Sequence, residues 1–181
     1  MKTFKLLMGL LLLSTVSFSQ YRNIRLQAAG LTCSMCSNAI NKSLKPLSFV
    51  AGIETDLKNN LFTITVKDGT IPDFDLLKTK VEGAGFSVGK MTVEVDFDNV
   101  SVKNDSHTSV GGKTLHFMNV KSQHLNGWQT VQLIDKSFVV ASQYKKMQRF
   151  TEMECYKTGV AGNCCKMGDA KPGDRIYHVT I

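Results

Sequence analysis

Between Asn23 and Val95 the period of the apolar residues switches repeatedly, and the order of those switches restricts this chain more than any other feature. From Asn23 to Ala29, Ile24, Leu26 and Ala28 alternate with polar Arg25 and Gln27, the period of a half-buried strand. Ile40, Leu44 and Leu47 then repeat at four and three residues among Asn41, Lys42, Ser43 and Lys45, one stripe of a helix that Pro46 ends. Two β-type runs follow, Val50 to Leu57 and Leu61 to Val66, joined by Lys58-Asn59-Asn60, whose asparagines tolerate the left-handed backbone of a tight hairpin. Thr70 to Asp73 carries cap-type side chains and a proline suited to a helix start. Phe74, Leu77, Val81 and Ala84 form the next helical stripe, with Gly85 where a helix C-terminus favours glycine. Phe86 to Val95 returns to alternation through Val88, Met91, Val93 and Val95.

The order β-α-β-β-α-β over residues 22–96 is the ferredoxin-like split arrangement, an α+β fold in which two helices cover one face of a four-stranded antiparallel sheet. Residues 97–113 turn polar and glycine-bearing, with Asn99, Asn104, Asp105, Ser106 and Ser109, and read as a linker. A second, small β-rich domain is expected over residues 114–181. Leu115 to Val120 is β-like, and Asn126-Gly127 before Trp128 to Ile134 is the strongest two-residue hairpin signal in the chain. Phe138 to Arg149 suits a short helix, Pro172-Gly173-Asp174 a turn, and Ile176 to Ile181 a last strand. A small antiparallel barrel like the oligonucleotide/oligosaccharide-binding fold fits that pattern.

Residues 1–19 run from basic Lys2 and Lys5 through an apolar stretch, Leu6 to Leu13, to small residues before Gln20, the layout of a secretory signal peptide. The expectation is export across the inner membrane to the periplasm. The apolar run is shorter than the roughly 18 residues of a spanning helix, so no stable membrane insertion is expected. Removing the two leader lysines leaves 20 basic residues against 15 acidic ones. That mild, scattered excess without an aromatic-interleaved basic stripe argues against nucleic acid as a partner.

Five cysteines are an odd number for an exported chain, so at least one is unpaired or holds metal. Gly30-Leu31-Thr32-Cys33-Ser34-Met35-Cys36 lies between the first strand and the first helix. Two thiolates three residues apart can face one another and hold a soft ion nearly linearly, which suits copper(I). The free donors of the helix's first turn favour the thiolate near Cys36, and Cys33 should be the more exposed partner. A C-x-x-C motif alone also serves redox enzymes, zinc sites and structural disulfides.

This segment resembles the G-M-T-C-x-x-C signature of heavy-metal-associated domains, found in copper chaperones, copper-pumping ATPases and a periplasmic mercury-binding protein. The resemblance spans residues 22–96. Val81-Glu82-Gly83-Ala84-Gly85-Phe86 is similar to the family's second-helix ending, which implies that Phe86 shields the ion. Leu31 stands where the family commonly has a buried methionine and keeps its volume. Thr32 looks like the copper or mercury version, since zinc-exporting relatives often carry aspartate there. The resemblance implies carriage of copper(I), with mercury(II) or zinc(II) as other cargo, and handover to a metal-transporting ATPase or another acceptor. A periplasmic thiol–disulfide oxidoreductase is the rival reading, and a mercury-binding protein another. No Ser/His/Asp set, phosphate-cradling loop or carboxylate pair stands out, so no enzyme activity is expected.

Met153, Cys155, Cys164, Cys165 and Met167 place five soft donors within fifteen residues. Two accounts stay open. One is a disulfide from Cys155 to Cys164 or Cys165, adding about 2–3 kcal/mol. The other is a second copper(I) site on Cys155 and one or both vicinal cysteines, completed by Met153, Met167 or His178. His116 and His178 fall in alternating strands and His107 and His124 in polar loops, so no close histidine pair is expected.

Overall fold

The computed structural model describes residues 20–31, 33–165 and 170–181, so the expected signal peptide, Thr32 and Met167 lie outside the described residues. The N-terminal elements follow the sequence periods. They are β1 (Tyr21–Ala29), α1 (Ser34–Leu44), β2 (Val50–Asp56), β3 (Leu61–Val66), α2 (Phe74–Gly83) and β4 (Ser87–Val102). Asp73 caps α2 by accepting a 2.9 Å bond from the Leu76 amide. Its other end closes as a Schellman motif. Gly85, at φ 89°, donates to the Glu82 carbonyl and Phe86 to that of Val81. Ile40, Leu44, Leu77 and Val81 are fully buried against Ile24, Leu26, Phe62 and Ile64 of the sheet. Truncating one of these large aliphatics to alanine should cost about 2–5 kcal/mol.

The C-terminal part extends this sheet rather than forming a body of its own. It adds β5 (Ser106–Val110), β6 (Lys113–Phe117), β7 (Gln123–Leu133) and β8 (Ile176–Thr180), with α3 (Ala141–Met147) and the single turn α4 (Cys155–Thr158) between the last two strands. The eight strands run β2-β3-β1-β4-β7-β8-β6-β5 in one open sheet. The barrel suggested by the sequence is therefore not formed, and β6 and β8 are parallel to each other. No helix among the described residues is long and apolar enough to cross a membrane.

Two local expectations change, through the long pairing of β4 with β7 and the pairing of β5 with β6. The linker expected at residues 97–113 holds the end of β4 from Phe97 to Val102 and all of β5, with Phe97, Val102 and Val110 buried. Its polar residues occupy turns and the solvent face. The Asn126-Gly127 hairpin signal lies inside β7, where Gly127, at φ 67°, pairs with Phe97 beside a register shift. A left-handed glycine serves a β-bulge as well as a hairpin turn, and local sequence does not separate the two.

The registers also assign faces. Val93 pairs with Val131, Leu133 with Val179, and Val179 with Phe117, so these side chains share the face that α1 and α2 cover. The alternate residues His178, His116 and His107 are aligned across β8, β6 and β5 and point to the opposite face.

Candidate metal centre

Gly30, at φ 84°, swings the chain off the end of β1, a backbone state that favours glycine. Leu31 is buried and ties the loop into the core. Cys33 then occupies the N-cap of α1 in extended conformation, and Cys36 follows one turn later. Cys33 is exposed and Cys36 half-buried against the core. Their sulfurs are 2.9 Å apart, well beyond the roughly 2.05 Å of a disulfide.

The first turn of α1 carries no acidic residue, so no carboxylate competes for its free amides. The hydrogen bond from the Cys36 side chain, followed by the Cys36 and Met35 amides, lowers the Cys33 pKa below the usual thiol range. A metal–sulfur bond of about 2.3 Å needs its two sulfurs roughly 3.8 Å apart in a tetrahedral site and about 4.6 Å apart in a linear one. The pair must therefore open by about 1–2 Å to accept an ion. Cys33 is the residue with room to move, because Cys36 is anchored. Phe86, set by the Schellman turn, is half-buried on the same core cluster as Cys36.

Residues 25–87 match the family model described as the heavy-metal-associated domain. Residues 25–87 are a domain of this family. Among similar solved structures, the yeast copper transporter domain Ccc2a in its apo and copper(I)-loaded states is 32% identical, with 36% of this chain and 88% of that chain covered at a TM-score of 0.33. The complex of Atx1, copper(I) and Ccc2a is 31% identical over 37% of this chain and 90% of its own, with a TM-score of 0.33. A putative copper-ion-binding protein from Bacillus anthracis is 26% identical over 38% and 94%, with a TM-score of 0.34. No curated protein matches the chain.

Beyond the heavy-metal-associated domain, the second cysteine group is assembled around one sulfur. All five cysteines are free, so the disulfide considered for Cys155 is not formed. Cys155 is buried at the start of α4, with Cys164 and Cys165 in the short 3-10 turn at Asn163–Cys165 and their two sulfurs 3.5 Å apart. Met153 packs against the apolar cluster of Cys155, Ala161, Cys165 and Ile176. His178 Nε2 lies 3.5 Å from the Cys155 sulfur, His116 Nδ1 3.6 Å and His107 Nε2 4.0 Å.

His107 and His116 thus contradict the expectation of unpaired histidines, because strand registry stacks their rings with centroids 4.3 Å apart. The sequence did hold a weak signal. Leu115-His116-Phe117 and Tyr177-His178-Val179 are matching apolar-histidine-apolar triplets, which turn both imidazoles away from the same apolar face. Burial first, then the neighbouring imidazoles, pushes His116 down to about 3 against the pull of Asp105, so it is neutral at neutral pH. Burial and the adjoining cysteines push the Cys155 thiol up.

Proposed function

We propose that the protein is an exported carrier of soft metal, in the first place copper(I). In this reading Cys33 and Cys36 hold the ion and pass it by ligand exchange to the thiols of a metal-transporting ATPase or another acceptor. The carrying observation is the pair of facing sulfurs at the start of α1, one anchored and one exposed with a lowered pKa. Thiolate pairs select soft ions, and mercury(II) and zinc(II) rank behind copper(I) as cargo. An exposed Cys33 gives an incoming thiolate a route to the ion before Cys36 lets go. The family match of residues 25–87 supports the reading, and the leader-like residues 1–19 support a periplasmic location. The role is carriage rather than catalysis.

The test is anaerobic titration of the reduced full chain with copper(I), read by native mass spectrometry. Cys33→Ser should carry one copper fewer than the parent. Equal loading of the two proteins rejects the proposal. Turnover of a disulfide substrate by the parent chain, with no copper adduct, would instead support the oxidoreductase.

A further inference from the structure

The three aligned histidines and the covering cysteine segment form a donor set on the opposite face of the sheet from Cys33 and Cys36, and the copper-carrying reading makes no use of it. A carboxylate can only accept a hydrogen bond, so Asp105 Oδ1, 3.1 Å from His116 Nε2, fixes the His116 proton on Nε2 and leaves Nδ1 a lone pair. Asp135 Oδ1, 2.8 Å from His178 Nδ1, leaves Nε2 of that ring a lone pair in the same way. Both lone pairs face the Cys155 sulfur. A thiol has one proton and can satisfy only one of them. The other nitrogen is left without a donor at a place closed to water, since His116 and His178 are fully buried. His107 adds a third imidazole at the same sulfur, and its own Nδ1 is buried without a hydrogen-bond partner.

A metal ion would resolve that imbalance, and the spacings match one. With bonds of about 2.3 Å to sulfur and about 2.05 Å to nitrogen, a tetrahedral ion sets its sulfur and nitrogen ligands about 3.6 Å apart. The two carboxylate-held nitrogens are 3.5 and 3.6 Å from Cys155. Donor atoms of His107, His116 and Cys155 all lie within 4.8 Å of one another. Histidine ligands commonly give their second nitrogen to a carboxylate, which fixes the tautomer and the ring, and Asp105 and Asp135 occupy that place.

We infer that Cys155, His116 and His107, with His178 as a further donor 3.5 Å from the sulfur, form a second, buried metal site of mixed sulfur and nitrogen ligands. Imidazole together with thiolate suits a borderline ion of the zinc(II) type rather than a calcium- or magnesium-like ion. Binding replaces the Cys155 thiol proton, which is released to solvent, and leaves His116 and His178 protonated on the nitrogens that donate to Asp105 and Asp135. The site is independent of the cargo site, so either can fail alone.

The test uses the full chain carrying Cys33→Ser and Cys36→Ser, which removes the first site. That protein, reduced and folded by circular dichroism, is titrated with cobalt(II) and then with zinc(II). The expected result is one equivalent of cobalt with a thiolate-to-metal absorption band, displaced by zinc. Adding Cys155→Ser should abolish the band, and Asp105→Asn should weaken affinity about 10–100-fold, as loss of a carboxylate behind a histidine ligand does. X-ray absorption of the zinc form should show both nitrogen and sulfur neighbours. The inference is overturned if the folded parent variant binds no cobalt, or if binding ignores both Cys155→Ser and His116→Gln. An all-sulfur shell, which would place the ion on Cys155, Cys164 and Cys165, overturns it as well. Where Cys155→Ser does not fold, Asp105→Asn decides, and unchanged affinity in that variant counts against the site.

Discussion

The Arg175 guanidinium grips the Asp75 carboxylate with two nitrogens, Nε at 2.9 Å and Nη2 at 3.3 Å, across a hundred residues of sequence. Asp75 lies in the first turn of α2, and Arg175 just precedes β8. The same guanidinium reaches Asp135 Oδ1 at 3.1 Å, and that oxygen holds His178. Tyr177 adds a 2.9 Å bond to Asp75. A continuous polar path therefore joins the helix layer of the heavy-metal-associated domain to the histidines on the far face of the sheet.

Removing Asp75 should loosen that join. Burial alone would raise the Asp75 pKa, but the Arg175 and Tyr177 hydrogen bonds and the charge of Arg175 bring it below the ordinary value. The carboxylate is partly exposed, so solvent screening limits the pair to about 1 kcal/mol. Asp75→Ala should lower Tm by about 2–4 °C at pH 7. The sign with pH follows from the lowered value. The stabilisation is complete above the unfolded pKa of about 3.9 and is lost as pH falls through the folded pKa. Melting curves of the two proteins should converge in acid. A gap that persists there would mean that Asp75 acts through packing instead.

The two cysteine groups should differ sharply in reactivity. Cys33 is exposed with a lowered pKa, whereas Cys155 is buried with a raised one. Alkylation of the reduced, metal-free chain at pH 7 should label Cys33 first and Cys155 last, as peptide mapping by mass spectrometry would show. Cys36→Ala should slow labelling of Cys33 and move its pH midpoint upward, because the largest cause of the lowered value is the Cys36 hydrogen bond.

Legibility in the sequence divides along the same line. Every N-terminal element could be read, because each buries one face on a layer supplied by its near neighbours and its apolar period records that. Gly30, Gly85 and Asp73 carried the turn and cap chemistry locally. The C-terminal half gave β6, β8 and part of β7, but neither β5 nor the strand partners. β6 lies beside β8, some sixty residues later, and no local period encodes a parallel pairing at that distance. Cys33 and Cys36 were readable because one helical turn brings them together. His107, His116, His178 and Cys155 come from four separate elements, and only strand registry reveals the cluster.

For the metal-free protein, His116 makes stability fall on mild acidification. Its folded pKa of about 3 lies below the unfolded value of about 6.5, so the unfolded chain binds the extra proton between those values. Stability is complete above about pH 6.5 and drops as pH falls, by up to about 1.4 kcal/mol per unit. His107, lowered by burial first and then by His178, adds a loss of the same sign. Urea unfolding between pH 7 and 4.5, above the range of most carboxylates, should show the slope. His116→Asn should flatten it, and an unchanged slope would assign the acid sensitivity to other groups.

Gly111 and Tyr21 supply the last prediction, which concerns how the β5–β6 turn is seated on the N-terminal strand. The Tyr21 hydroxyl donates a buried 2.6 Å bond to the Val110 carbonyl, drawing the turn onto the ring. Gly111 sits at φ 54°, and a Cβ built there would overlap the Tyr21 ring. Gly111→Ala therefore meets two costs, about 1–3 kcal/mol for overpacking and about 1–2 kcal/mol for a left-handed backbone. Gly127 is the control. Its φ is 67°, yet a Cβ there meets nothing within 4 Å, so Gly127→Ala should incur the backbone cost alone. Chemical denaturation of both variants gives the difference, which measures the overlap. Tyr21→Leu combined with Gly111→Ala should be less destabilised than the sum of the two single changes, because the smaller side chain relieves the clash. Equal losses for Gly111→Ala and Gly127→Ala, with additive double-variant energies, would show that the turn moves freely off Tyr21.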